Sequence, residues 1–169
     1  PSLGFLMAQK DYFELLNQPR SYAVDFVSLE ETKTKLLARL HPDRFVNASA
    51  LEKRIAQQMT VQVNEAYATL ADDLKRAQYL CALNGLDVNA RKPMPAEFLM
   101  RQMQWHEALE VAKESNDQAV LEELKDKVHE VRGELKVQLT QAFDQDNNLD
   151  VAYELTREFM FIEKVSSQI

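Results

Sequence analysis

The chain has 169 residues, of which 46% are hydrophobic and 28% charged, enough for one domain or two small ones with a real core. Only 3 glycines occur, where average usage gives roughly 12; this argues against hairpin-rich β folds and glycine-rich nucleotide loops. The net charge of −7 sits wholly in residues 85–169, with 10 Lys and Arg against 17 Asp and Glu, while residues 1–84 hold 10 of each. An acidic second half argues against binding a phosphate backbone there.

The first segment, Pro1 to Lys10, has an apolar patch (Leu3, Phe5, Leu6, Met7) but neither a basic n-region nor a cleavage site after a long apolar run, so it is not a signal peptide. Met7 is a candidate native start, which would make residues 1–6 foreign to the protein. No run approaches the ~18 apolar residues that span a bilayer, and a cytoplasmic protein is expected. Apolar residues then recur at helical spacing. A short helix over about Asp11–Asn17 stops at Pro19. Ser28 with Glu31 forms a capping box that opens a second helix, Leu29–Leu40, with Leu29, Leu36, Leu37 and Leu40 on its apolar side. Pro42 ends it, because the residue before proline is pushed out of the α region. Ser49 and Glu52 make a second capping box. The helix after it runs to about Leu70 with the stripe Leu51, Ile55, Met59, Val63, Ala66 and Leu70. A fourth helix, Asp73–Leu83, closes at Asn84-Gly85. It carries the single cysteine, Cys81, which excludes an intrachain disulfide and a thiolate zinc cluster and reads as a buried, inert thiol.

The segment 85–94 is the most loop-like of the chain and is taken as the linker between two domains, residues 1–84 and 95–169. Pro95 suits the first position of the next helix. Three helices follow, about Ala96–Glu114, Gln118–Phe143 and Leu149–Ser166. Leu121, Leu124, Val128, Val131, Leu135 and Phe143 give the middle one a bundle seam. Short loops between them imply antiparallel neighbours, hence a three-helix bundle. The expected fold class is all-α.

The informative constellation is helix, His41-Pro42-Asp43, polar loop, helix. Pro42 stops the helix and fixes its own φ, presenting His41 and Asp43 at the tip of a helical hairpin. A carboxylate there suits a charge-assisted bond to a partner arginine. Lys33, Lys35, Arg39 and Arg44 form a basic strip around it, suited to an acidic partner surface.

At this point the sequence resembles a known family. Asp11-Tyr12-Phe13-Glu14-Leu15-Leu16, His41-Pro42-Asp43-Arg44-Phe45 and Asn64-Glu65-Ala66-Tyr67-Ala68-Thr69-Leu70 look like a J domain. Lys75-Arg76-Ala77-Gln78-Tyr79-Leu80, Asn84-Gly85 and the run from Phe98 to Glu107 resemble the HscB-type J-domain co-chaperones of iron–sulfur cluster assembly. The resemblance implies an N-terminal J domain that binds and stimulates a DnaK-class ATPase chaperone, HscA. It also implies a C-terminal three-helix domain that holds the scaffold protein IscU. The tripeptide essential for stimulation in the family maps to His41, Pro42 and Asp43. The scaffold-binding surface maps to Leu99, Met100, Met103, Gln104, Glu107 and Phe161. Arg101 and Gln104 stand where the family often has glutamates, His106 where it often has arginine, and Lys33 where an aromatic is common. The resemblance implies no cofactor. A J-domain co-chaperone or adaptor with a different client is the alternative.

Helical periodicity supplies an independent expectation. At about 100° per residue, Phe98, Trp105, Leu109 and Ala112 fall within roughly 60° of one another as a core stripe, and Leu99, Met100, Met103 and Val111 lie roughly 100–220° away. In the last helix Ala152, Leu155, Phe159 and Ile162 make the stripe, and Phe161 points about 180° from Ala152. Apolar residues opposite a complete core stripe mark a partner surface or packing on another element. An enzyme is not expected: His106 and His129 lie in no His-Glu-x-x-His motif, Asp126-x-x-His129 lacks the second acid-x-x-His element of a di-iron bundle, and no phosphate-cradling Gly-Lys loop occurs.

Overall fold

The structure, a computed structural model, describes residues 10–169; the apolar patch around Met7 lies outside them. Regular structure among the described residues is helical throughout, in seven α-helices. Helix α1 (Tyr12–Leu15) is a single turn. The Asp11 carboxylate accepts the Glu14 N–H at 2.9 Å. Asn17, at φ 52°, lets its own N–H reach the Glu14 carbonyl and that of Gln18 the Phe13 carbonyl, a left-handed closure that leaves few carbonyls orphaned.

Helix α2 (Phe26–Arg39) begins ahead of the expected start. The Asp25 carboxylate accepts from the N–H groups of Val27 and Ser28 at 3.1 and 3.2 Å. One carboxylate oxygen thus satisfies two orphan donors, so Phe26 and Val27 join the helix. The Ser28–Glu31 capping box is not what starts it; Ser28 sits in the first turn and its hydroxyl accepts from the Gln18 amide at 3.2 Å. The helix ends at Leu40, before Pro42. Helix α3 (Ala50–Ala71) is capped as expected by the Ser49 hydroxyl on the Glu52 N–H, 3.2 Å.

Helices α1 and α2 both pack on α3. The core of this unit is Phe13, Leu16, Tyr22, Leu29, Leu36, Leu40, Met59, Val63, Ala66 and Leu70, all buried. Lys33 lies against Tyr67 and Leu40 near Thr60, so α2 and α3 run antiparallel as a hairpin. Leu51, expected in the stripe, is exposed, and Ala56 is buried instead. The first turn of α3 projects beyond the end of α2, so Leu51 has no α2 side chain to bury against. Arg76, in the first turn of α4 (Asp73–Leu83), is only 3% exposed. Its guanidinium donates to the carbonyls of Tyr22 and Leu70 and to the Asp73 carboxylate, and lies 4.5 Å from the centre of the Tyr22 ring. Burial pushes the Tyr22 phenol up, and its hydroxyl donates to the Asp73 carbonyl at 3.0 Å.

The chain divides into two compact units at Arg76–Ala77, upstream of the expected linker. The segment 85–94 belongs with the second unit. Val88 is buried, the Tyr153 hydroxyl donates to the Asp87 carbonyl at 3.1 Å, and Arg157 donates to the Lys92 carbonyl at 3.0 Å. Gly85, at φ 74°, closes α4. Its N–H donates to the Ala82 carbonyl and that of Leu86 to the Cys81 carbonyl, a position where a side chain would be strained.

Helix α5 (Ala96–Ser115) starts after Pro95, which takes the capping position rather than the first helical one. Asn116, at φ 49°, ends it. Helix α6 (Gln118–Thr140) is capped by the Asp117 carboxylate on the Ala119 N–H. The expected continuation to Phe143 is instead a wider π-helical turn, Gln141–Gln145. There the Asp146 N–H reaches the Gln141 carbonyl at 2.8 Å and the Asn148 N–H the Ala142 carbonyl at 2.8 Å. The extra residue turns Ala142 and Phe143 inward before the chain reverses. Asn148 then caps α7 (Leu149–Ser166) through the Val151 N–H.

Helices α5, α6 and α7 pack pairwise as a three-helix bundle around Phe98, Leu109, Leu124, Val128, Leu135, Leu139, Phe159 and Ile162. Arg132 of α6 bridges to Glu163 and Ser166 of α7 at 2.9 and 2.8 Å. Cys81 is buried with its thiol 3.6 Å from the Thr156 hydroxyl; burial pushes the thiol up, against a smaller lowering by that contact. No helix among the described residues is long and apolar enough to cross a membrane.

Candidate functional site

Two surfaces carry the residues singled out in the sequence, one in each unit. In the first, the chain leaves α2 at Leu40 and makes a 3-10 turn over Pro42–Phe45. The Arg44 N–H donates to the His41 carbonyl at 2.9 Å, and the His41 ring caps the turn, its Nδ1 accepting the Asp43 N–H at 3.2 Å. That bond needs a lone pair on Nδ1, so the proton of the neutral ring sits on Nε2. The Asp43 carboxylate lies 3.5 Å from the same nitrogen, and the two side chains are 60% and 89% exposed. A positioned N–H donor and an exposed carboxylate thus project side by side from the hairpin tip.

The basic strip is divided. Lys35, Arg39 and Arg44 are exposed. Lys33 is half-buried, with its ammonium 4.0 Å from the centre of the Tyr67 ring, a cation–π contact that holds it toward α3. Where the resemblance expects an aromatic, this lysine sets its ammonium over an aromatic of the facing helix. Beside the tip runs a groove of about 650 Å³ lined by the apolar Leu40, Phe45, Val46 and Val61 together with Pro42, Asp43 and Lys53. Val46 and Val61 are 66% and 64% exposed. The groove could not be foreseen, because it exists only once the tip folds back over α3. Val61, an apolar residue of α3 outside the expected stripe, is the sequence feature that points to it.

The second surface lies on α5. Phe98, Leu109 and Ala112 are buried, and Leu99, Met100 and Met103 are 49, 62 and 65% exposed. Gln104 and Glu107 are exposed on the same side, and Val111 extends the apolar column. The expected division into a core stripe and an outward stripe is therefore found. Phe161 of α7 is half-buried beside it. Its ring meets that of Phe98 edge-on at 6.3 Å and that of His106 edge-on at 5.5 Å. Arg101 is turned to the other shoulder of α5 and forms a two-point bond to Glu158 of α7, at 2.8 and 3.3 Å. Its departure from the family's usual glutamate thus serves helix packing and leaves the apolar column untouched. Among the described residues no group of three or more His, Cys, Asp or Glu could hold a metal ion.

Comparison with known proteins bears on both surfaces. Residues 94–169 match the family model described as "HSCB C-terminal oligomerisation domain". The co-chaperone protein HscB homolog of Bordetella avium strain 197N is 37% identical over 165 residues, covering 96% of this chain and 97% of that protein. The crystal structure of the human co-chaperone protein HscB superimposes with a TM-score of 0.84 at 29% identity, over 95% of this chain and 80% of that one. The chaperone HscB from Vibrio cholerae gives a TM-score of 0.77 at 32% identity, over 94% of each chain. The hairpin with its His-Pro-Asp tip is thus a J domain and the second unit the C-terminal bundle that follows it in these proteins, and the chain belongs to the HscB co-chaperone family.

Proposed function

We propose that this protein binds an iron–sulfur scaffold protein of the IscU type, delivers it to a DnaK-class chaperone of the HscA type, and stimulates that chaperone's ATPase without catalysing a reaction itself. The observation that carries the reading is the pairing, in one chain, of the exposed His41–Asp43 tip with the exposed Leu99, Met100 and Met103 column. The tip, flanked by Lys35, Arg39 and Arg44, engages the chaperone, with Asp43 as acceptor for a partner cation. Lys33 contributes its charge from a position fixed on Tyr67. The adjoining groove takes up apolar surface of the same partner. The column with Gln104, Glu107 and Phe161 holds the scaffold, where flexible methionines adapt to the partner's contour. Joining both contacts in one chain raises the effective concentration of scaffold at the chaperone. Stimulation follows if the tip binds the hydrolysis-competent chaperone state better than the resting one, a coupling of about 1–3 kcal/mol or roughly 5–150-fold.

The test is the steady-state ATPase rate of HscA with this protein, with and without IscU. The expected result is a rise with the co-chaperone and a further rise when the scaffold is added. No rise in either arm overturns the reading. A rise that ignores IscU assigns the bundle to another client.

A further inference from the structure

We propose that His106 is a positioning residue for scaffold recognition: its ring locks Phe161 in the orientation in which that side chain meets the partner. The inference rests on the functional reading above and on three observations. The Phe161 ring is held from two sides, by buried Phe98 at 6.3 Å and 73° between ring planes and by His106 at 5.5 Å and 75°. Both are edge-to-face arrangements, the geometry that aromatic quadrupoles favour. The two supports differ in kind, since Phe98 is 5% exposed and belongs to the core whatever the bundle binds, whereas His106 is exposed on α5. A surface aromatic with no core to fill gains little from packing on a neighbour unless the neighbour's orientation matters. Finally, His106 follows Met103 by three positions on one helix, which places the two side chains next to each other, at the junction between the methionine column and Phe161.

The physical effect is pre-organisation. A half-buried phenylalanine with one fixed neighbour can swing between rotamers, and binding then has to restrict it. Closing the second side fixes it beforehand and lowers the entropic cost of association. In this arrangement His106 acts through Phe161.

The experiment uses the full chain with His106→Ala, His106→Phe, Phe161→Ala and the double variant His106→Ala/Phe161→Ala. Two readouts are taken: the aromatic NMR signals of Phe161 in the free protein, and the Kd for IscU by calorimetry. His106→Ala is expected to shift and average the Phe161 signals and to weaken IscU binding about 3–10-fold, with the melting temperature held within about 2 °C. His106→Phe, which keeps an aromatic edge, should restore both readouts. The double variant should bind no worse than Phe161→Ala alone. Unchanged Phe161 signals in His106→Ala overturn the inference whether or not IscU binds, as does a double variant in which the two losses simply add. If the unmodified chain fails to bind IscU, the scaffold reading falls and this role falls with it, while the NMR arm still reports whether the ring is locked.

Discussion

The backbone N–H of Asp43 donates to Nδ1 of His41 at 3.2 Å, so the imidazole of the tip is a structural cap as well as an exposed donor. Its orientation is set by the turn it closes, and the Nε2–H is aimed outward at no conformational cost at the moment of contact. His41→Gln keeps an acceptor that can serve the turn but re-aims and lengthens the donor. The variant should melt within about 2 °C of the parent and fail to stimulate HscA. Full stimulation, measured by steady-state phosphate release, would remove the J-domain assignment of function.

Salt separates the two surfaces. The tip is flanked by exposed Lys35, Arg39 and Arg44, whereas the α5 column is apolar. Raising ionic strength from about 0.1 to about 0.5 M shortens the screening length to under half. Chaperone affinity should fall severalfold while scaffold affinity changes by less than about twofold. Titrations of each partner at both salt concentrations check this; equal sensitivity would contradict the division of labour.

Met103→Asp and Phe161→Ala should differ in their side effects. Met103 is 65% exposed, so the aspartate is solvated in the free protein and is buried only on binding. Scaffold affinity should drop at least about tenfold, ~1.4 kcal/mol, with the melting temperature nearly unchanged. Phe161 packs on Phe98, and its truncation should additionally cost about 1–2 kcal/mol of stability. Parallel denaturation and binding curves separate the two effects.

Arg76→Ala should be the most damaging single change in the first unit. It strips donors from the carbonyls of Tyr22 and Leu70 at a buried position, and it removes the cation over the Tyr22 ring. A loss of about 3 kcal/mol or more is expected. Urea denaturation monitored by far-UV circular dichroism measures it; a loss under about 1 kcal/mol would show that water replaces the guanidinium.

Asp11 provides the pH dependence. Burial alone would raise its carboxyl, but the hydrogen bond from Arg20, the backbone N–H of Glu14 and the Arg20 charge outweigh it and hold the group below the usual 3.8. Because the folded value is the lower one, the unfolded chain takes up the proton first as pH falls. The contribution is therefore complete above the unfolded value and is lost as pH drops through the folded one. Asp11→Asn keeps a good cap and removes the charge. It should cost about 0.5–1 kcal/mol at about pH 7, and the cost should shrink as pH falls through the folded value of the carboxyl, in paired urea titrations.

Much of the architecture could be read from periodicity and caps. Ser49 and Asn84-Gly85 do what their sequence suggests, and Cys81 is buried. What escaped required tertiary information. Asp25 and Ser28 are both competent caps, and the helix starts at the earlier one, where the Asp25 carboxylate takes the N–H groups of Val27 and Ser28 while the Ser28 hydroxyl accepts from Gln18. Leu51 has the right spacing for the core but lies past the end of its partner helix. The π turn after Thr140 depends on the reversal that Asn148 completes, and nothing in the local sequence signals it. At the candidate surfaces, helical spacing found the outward α5 column, whereas the groove beside the tip, the Lys33–Tyr67 contact and the role of Arg101 arise between elements far apart in sequence.

The outward column has a chemical liability. Met100 and Met103 are 62% and 65% exposed, while Met59 in the first unit is sealed at 3%. Peroxide will therefore reach the α5 sulfurs before that of Met59, and each sulfoxide puts a polar, chiral oxygen where an apolar contact is needed. On the proposed reading, oxidation would then weaken scaffold binding while leaving the fold and the His41–Asp43 tip intact, a lesion reversible by sulfoxide reduction.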